Sequence, residues 1–190
     1  MNHPSENAVP ATALLLVDVI VSFFEPGRAN HYPEVGAVLA PMRRLLEAAR
    51  RSGCLVVHAA ERHRAGFDDY EWRKLPRHHE GDDAAFVAGF EPAGPREVLI
   101  AKRRFSAFFA TDLALFLHEQ RVQRLVIAGV KTNVCIRASA QDAFAHGFEP
   151  VIAREATNSN RPHLAAAALE DIERYMGRVV PLDEAVALLS

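Results

Sequence analysis

Residues 125–148, LVIAGVKTNVCIRASAQDAFAHGF, decide the fold. Leu125-Val126-Ile127-Ala128 is a short apolar run closed by Gly129, which reads as a buried parallel strand. Further on, Ile136, Ala140, Ala143 and Phe144 recur at helical spacing, and Gly147 is a good stop. Cys135 therefore falls at or near the first turn of a helix that follows a strand. Unpaired N–H groups and the positive dipole end favour an anion there, so the thiol is expected to ionise more easily than its reference value of about 8.5. The same N–H groups can hold the oxyanion formed when a thiolate attacks a carbonyl. A lone cysteine is also a common small core hydrophobe, so its neighbours have to decide.

On the N-terminal side, 13–19 (ALLLVDV) is an apolar run of strand length containing Asp18. Residues 33–52 set Val35, Val38, Leu39, Met42, Leu45, Leu46 and Ala49 on a helical face that Gly53 closes. Residues 54–59 (CLVVHA) read as a second strand, 98–101 as a third, 149–153 as a fifth and Val179-Val180 as a sixth at the edge. A helix is expected over 111–120, and another capped by Asn160, with Pro162 in its first turn, running to Gly177. Residues 61–95 are polar, aromatic and rich in Pro, Gly and His without a sustained period, as functional loops are. Residues 1–12 read as a loose lead-in to one domain spanning 1–190. This alternation predicts an α/β fold: a three-layer αβα, Rossmann-like, six-stranded, mostly parallel sheet with helices on both faces.

About half of the residues are hydrophobic (49%) and the net charge is -2, so there is no basic stripe for nucleic acid. No apolar run approaches a membrane span, and the polar start MNHPSENAVPAT lacks a signal core. Cys54 and Cys135 lie in different elements and fit a reducing compartment. The expectation is a cytoplasmic protein without nucleic-acid or membrane partners.

In such sheets, ligands bind beyond the carboxyl ends of the strands, where strand order reverses. Asp18, Lys102 and Cys135 stand in those places, far apart in sequence. Together they make a nucleophilic site. Asp18 can take the thiol proton and later return it to a leaving amine, while Lys102 supports the thiolate and screens the tetrahedral charge. Taken singly, Asp18 could be a turn cap and Lys102 a solvated surface lysine.

VDVIVSFFEPG, KRRFSAFFATDL and GVKTNVCIRASAQDAFAHGF resemble the three signature segments of the isochorismatase-like cysteine hydrolases. These small amidases include nicotinamidases, N-carbamoylsarcosine amidohydrolase, ureidoacrylate amidohydrolase and biuret hydrolase, and the similarity spans about residues 13–180. The resemblance implies that Asp18, Lys102 and Cys135 form the catalytic triad. It also implies a cis Val130–Lys131 bond and an oxyanion hole made by the N–H groups of Lys131 and Cys135. A small-molecule amide substrate, no cofactor and a homo-oligomer (dimer or tetramer) are implied in the same way.

Nicotinamidases bind a metal through a D-x-H motif and a further His. Asp18 is followed here by Val19, Ile20 and Val21, and His58, His63, His78 and His79 show no matching acid–histidine set, so no metal is expected. DVIVSFFEPG resembles instead the N-carbamoylsarcosine branch. Isochorismatases proper cleave a vinyl ether without needing a cysteine, so Cys135 points to amide chemistry. Phe24, Tyr70, Trp72 and Phe108 are candidate pocket walls, Arg62 a candidate donor to a polar or carboxylated substrate, and Asn158 a candidate rim residue. The expected activity is metal-independent hydrolysis of a carbamoyl or ureido C–N bond through a thioester-type intermediate. Vinyl-ether hydrolysis and a non-catalytic binding subunit are the alternatives.

Overall fold

The computed structural model describes residues 11–63 and 81–190. The first half runs β1 (Thr12–Val17), α1 (Val21–Phe24), a 3-10 turn (Pro33–Val38), α2 (Leu39–Ser52), β2 (Leu55–Glu61) and β3 (Glu97–Lys102). The second runs α3 (Leu113–Glu119), β4 (Arg124–Val130), α4 (Arg137–Ala145), β5 (Glu149–Asn158), α5 (Pro162–Tyr175), β6 (Arg178–Val180) and α6 (Leu182–Ala187). The six strands lie in the order β3-β2-β1-β4-β5-β6, and every neighbouring pair is parallel. The chain leaves β1 towards one edge, then returns beside it as β4 and runs to the other. Strand order thus reverses between β1 and β4, and the loops leaving these two strands diverge to open a crevice.

Both faces of the sheet are covered, which is why the central strands are apolar without interruption. Leu14 and Leu16 of β1 pack with Met42, Leu45 and Leu46 of α2 and with Leu182 and Ala185 of α6. Ala13, Leu15 and Val17 face the other way, onto Leu113 and Leu117 of α3, Ile136, Ala140 and Ala143 around α4, and Ile172 of α5. Each buried leucine contributes about 1.5–3 kcal/mol by leaving water. Gly53, at φ 72, closes α2 in the left-handed conformation that glycine adopts without cost.

Three sequence expectations are corrected. Phe144 is 54% exposed. At 100° per residue it lies roughly 80° round the helix from Ile136, past the edge of the buried stripe. Asn160 does not cap α5: Arg161 is the residue before the helix, and its N–H is taken by Ser159 Oγ at 3.2 Å. Beyond Ala153, β5 continues to Asn158 through a register shift that leaves Arg154 and Glu155 exposed. Glu155 then accepts the N–H of Leu182 at 2.8 Å, at the start of α6.

One glycine brings the crevice walls together. Gly129 has φ 126, and a Cβ there would lie 2.0 Å from the Val17 carbonyl oxygen. Only glycine allows the end of β4 to approach the end of β1 this closely.

Candidate active site

β1 stops at Val17, and Asp18 turns away in the left-handed region, at φ 56, a conformation Asp tolerates better than most residues. Two bonds to β2 hold it there. Its N–H donates to the Ala59 carbonyl at 2.8 Å, and Oδ1 accepts the Glu61 N–H at 2.8 Å. The carboxylate is fully buried over the crevice.

Lys102 ends β3 opposite Glu61 in the parallel register. Its buried stem carries Nζ past the end of β2 to within 2.8 Å of Asp18 Oδ2, 3.6 Å of Glu61 Oε2 and 3.7 Å of Cys135 Sγ. The Arg104 carbonyl, at 3.2 Å, takes a further N–H. By distance the Asp18 contact is an ion pair, yet Oδ2 accepts no aligned hydrogen bond among the described residues. Oδ1 is taken by the Glu61 N–H, so Oδ2 is the oxygen turned to the Lys102 ammonium.

Cys135 sits in a π-helical turn, Thr132–Ile136, that leads into α4. Such turns recur at functional sites. The Lys131 carbonyl accepts the N–H groups of Val134 and Ile136, and the Thr132 and Thr157 hydroxyls, 2.8 Å apart, tie the turn to β5. The Val130–Lys131 peptide is cis, as the resemblance implied. Asp18, Lys102 and Cys135 therefore meet in one buried cluster.

The expectation of an easily ionised thiol is corrected. Burial pushes Cys135 well above the ordinary thiol range; Lys102 opposes this, while the Asp18 and Glu61 carboxylates reinforce it. A thiolate would add a third negative charge around a single ammonium. Burial alone would lower Lys102, but Asp18, Cys135 and Glu61 together raise it, so it stays charged. At rest the cluster holds a thiol, and its proton has a nearer acceptor in Asp18 than in bulk water.

Glu61 was not among the expected site residues. It closes β2 with 4% exposure, and its Oε1 lies 3.1 Å from His63 Nε2. Two more residues of strand beyond Ala59 would have set it beside Lys102, and that continuation was the available signal. Glu61→Gln removes one of the carboxylates that oppose thiolate formation. Iodoacetamide labelling of Cys135, read by peptide mass to separate it from Cys54, is expected to reach its midpoint at lower pH in this variant. With one support of Lys102 weakened, kcat/KM should fall about tenfold. A labelling midpoint that stays put or rises would show that the thiol does not sense Glu61.

Oxygen atoms of Asp18 and Glu61 and the sulfur of Cys135 all lie within 4.8 Å of one another, a donor set that could hold a metal ion. The Lys102 ammonium already stands among them as a built-in cation. Among the histidines, His63 pairs with Glu61. His58 is a core residue with Nε2 2.9 Å from Glu97 Oε2. Burial lowers its pKa, so it donates as the neutral ring. Burial also disfavours the Glu97 carboxylate, but Arg50, His58 and the Ala93 N–H outweigh it and hold Glu97 at about 2. His78 and His79 lie outside the described residues.

Phe23, Phe24 and Tyr32 pack in one core cluster, and the rings of Phe23 and Tyr32 also face the Lys131 ammonium. Phe108 is buried in the cluster that also holds Cys135, against the rings of His146 and Phe148. Arg62 binds the Ala84 carbonyl, lies 5.2 Å over the Phe86 ring and also feels the Asp18 carboxylate. Asn158 Oδ1 accepts the Tyr32 hydroxyl at 2.7 Å and its Nδ2 donates to the Glu34 carbonyl at 2.6 Å. Tyr70 and Trp72 lie outside the described residues.

Comparison with known proteins agrees with this geometry. The isochorismatase domain matches residues 12–184. Maleamate amidohydrolase of Pseudomonas putida is 38% identical, over 93% of this chain and 86% of that protein. N-carbamoylsarcosine amidase of Arthrobacter sp. is 30% identical, over 93% of this chain and 70% of that protein. Among solved structures, an isochorismatase family protein from Desulfovibrio vulgaris superposes with a TM-score of 0.85 at 29% identity, covering 94% of this chain and 99% of that one. With its whole sheet, its reversal point and the buried Asp–Lys–Cys cluster inside the matched span, the chain belongs to the isochorismatase domain family.

Proposed function

We propose that this protein is a metal-independent cysteine amidohydrolase cleaving the C–N bond of a small carbamoyl or ureido compound. The observation that carries this is a single buried ammonium, Lys102 Nζ, within 2.8 Å of a carboxylate oxygen and 3.7 Å of a thiol sulfur. The relatives named for maleamate and N-carbamoylsarcosine support a small linear amide as substrate.

In this mechanism Asp18 Oδ2 takes the Cys135 proton as Sγ attacks the substrate carbonyl. The oxyanion forms against the N–H groups of Lys131 and Cys135, and Lys102 screens the charge that builds up. Asp18 then returns the proton to the leaving nitrogen, and ammonia or an amine departs from the thioester or carbamoyl enzyme. Water attacks that intermediate, its proton passes to Asp18, and the returning thiolate recovers a proton as the product acid leaves. Lys102 fills the place a metal ion would take among the same donors, and this supports a metal-free reaction.

No helix among the described residues is long and apolar enough to cross a membrane. We place the protein in the cytoplasm as a homo-oligomer, with exposed Phe109, Leu115 and Tyr175 as support; sedimentation equilibrium reads the number of chains.

Ammonia release from carbamoyl, ureido and simple carboxamide compounds, with and without chelator, tests the proposal. Release that survives chelator is expected. Loss on chelation would remove the metal-free mechanism, pyruvate formed from isochorismate would replace amide by vinyl-ether cleavage, and no turnover of either kind would leave a binding subunit.

A further inference from the structure

Lys102 stands at the end of an edge strand, since β3 is bonded to β2 alone. Beyond it, residues 103–112 run to α3 as bends and turns rather than helix or strand. This loop bears directly on the ammonium, because the Arg104 carbonyl accepts an N–H of Lys102 Nζ at 3.2 Å. Ser139 ties the loop to the helix that follows the nucleophile. It lies on α4, four residues after Cys135 and so about one helical turn further along the same face. The residue is fully buried, and its Oγ accepts the Ala107 N–H at 3.0 Å. The Ala107 carbonyl accepts the Thr111 hydroxyl at 2.7 Å, so Ala107 is gripped from both ends. Ala107 and Phe108 then sit in the core cluster that holds Cys135, Ile136 and Ala140. Alanine would suit the interior of α4 better than serine does; the buried hydroxyl is explained by the loop it holds.

We propose that Ser139 is a positioning residue of the active site: by locking the loop after Lys102 onto α4, it sets the distance between Lys102 Nζ and Cys135 Sγ. This rests on the amidohydrolase function proposed above, in which that ammonium screens the charge building on the attacked carbonyl. Cys135 follows β4 while Lys102 ends β3, and β2 and β1 lie between those strands. Small slips of either side add across that span. With the clamp in place, Nζ stands 3.7 Å from Sγ and 2.8 Å from Asp18 Oδ2. Without it the Ala107 N–H is left unpaired in the core, and the loop must shift to find another acceptor or water. The Arg104 carbonyl shifts with the loop and draws Nζ off the thiol. Ser139 thus acts through Lys102 and not on the reacting atoms.

Ser139→Ala tests this by two readouts. Its kcat for ammonia release should fall about 10- to 100-fold with KM little changed, the order of loss that a small misplacement of a reacting group brings. The midpoint pH for iodoacetamide labelling of Cys135 should rise. Lys102 from β3 is the cation that lowers this thiol, while Asp18 from the end of β1 and Glu61 from β2 raise it, and Lys131 of the same turn also feels it. A more distant Lys102 leaves the two acids less opposed. A role in packing alone would lower Tm and leave the midpoint where it is. Ser139→Thr keeps the hydroxyl and should restore both kcat and midpoint. A midpoint unmoved or lowered in Ser139→Ala, assayed well below its Tm, overturns the proposal, as does an unchanged kcat. If Ser139→Ala does not fold, Thr111→Val, which frees the Ala107 carbonyl instead, decides by the same midpoint: a rise upholds the clamp and no change overturns it. Should the wild type release no ammonia from any amide, the amidohydrolase function fails, and the labelling midpoint still judges Ser139.

Discussion

Cys135→Ser is expected to lose ammonia release by about 10⁴-fold or more while keeping the fold, since removing a nucleophile from a group that acts as a unit has effects of that order. A serine hydroxyl at this position has the same buried surroundings but a far higher pKa, so a carboxylate such as Asp18 is too weak a base for its proton. The fold survives because the core on that face is carried by larger groups, among them Leu15, Ile127, Ile136 and Leu117. Cys135→Ala removes only one sulfur from that cluster, and its cost should stay near 1–2 kcal/mol, visible as a modest fall in Tm. Acid-quenched wild-type enzyme under turnover should carry an acyl adduct on the peptide containing Cys135, detectable by mass and missing from Cys135→Ala. Undiminished turnover in Cys135→Ala would remove covalent catalysis by this residue, whatever the crevice looks like.

The convergence of Asp18, Lys102 and Cys135 was legible because a parallel sheet places all its strand ends on one side. What the sequence could not show was how far each strand runs. β2 goes two residues past the point where its apolar run ends, and that hid Glu61 among loop residues. β5 likewise continues after the exposed Arg154 and Glu155, so Asn158 looked like loop although it pairs with Val130. The aromatic residues show a related limit. Hydrophobicity says that Phe23, Phe24 and Phe108 are buried, but only the short α1 turn decides that Phe23 rather than Phe24 looks at Lys131. The thiol shows a deeper limit. Its place at a helix start is a local signal and argues for easy ionisation, whereas the carboxylates that oppose it come from the ends of β1 and β2. Burial outweighed the local dipole, and those carboxylates added to it, as expected for a short turn sealed from water.

Asp18→Asn provides the sharpest mechanistic signature, because it separates handing a proton over from merely tolerating a charge. The asparagine keeps an oxygen able to accept the Glu61 N–H, so the local backbone should hold. It can neither take the thiol proton nor give one to a leaving amine. Loss of both steps should lower kcat/KM at neutral pH by about 10³-fold or more, each being worth about 10²–10⁴. The pH dependence carries more information than the rate. In the wild type the proton moves within the Asp18–Cys135 pair, so kcat/KM is expected to be level across neutral pH, since no proton leaves the protein before attack. In the variant the proton must go to solvent, and residual activity should climb about tenfold per pH unit until the thiol itself titrates. Removing the Asp18 charge works in the opposite direction on that titration, because the carboxylate is one of the groups that push Cys135 up. Cys135 in the variant should therefore ionise at lower pH than in the wild type, even though catalysis collapses. A variant whose activity stays level with pH, or one that loses no more than a few-fold, would reduce Asp18 to an anchor for Lys102, and the base would have to be sought elsewhere, with Glu61 the nearest carboxylate to examine.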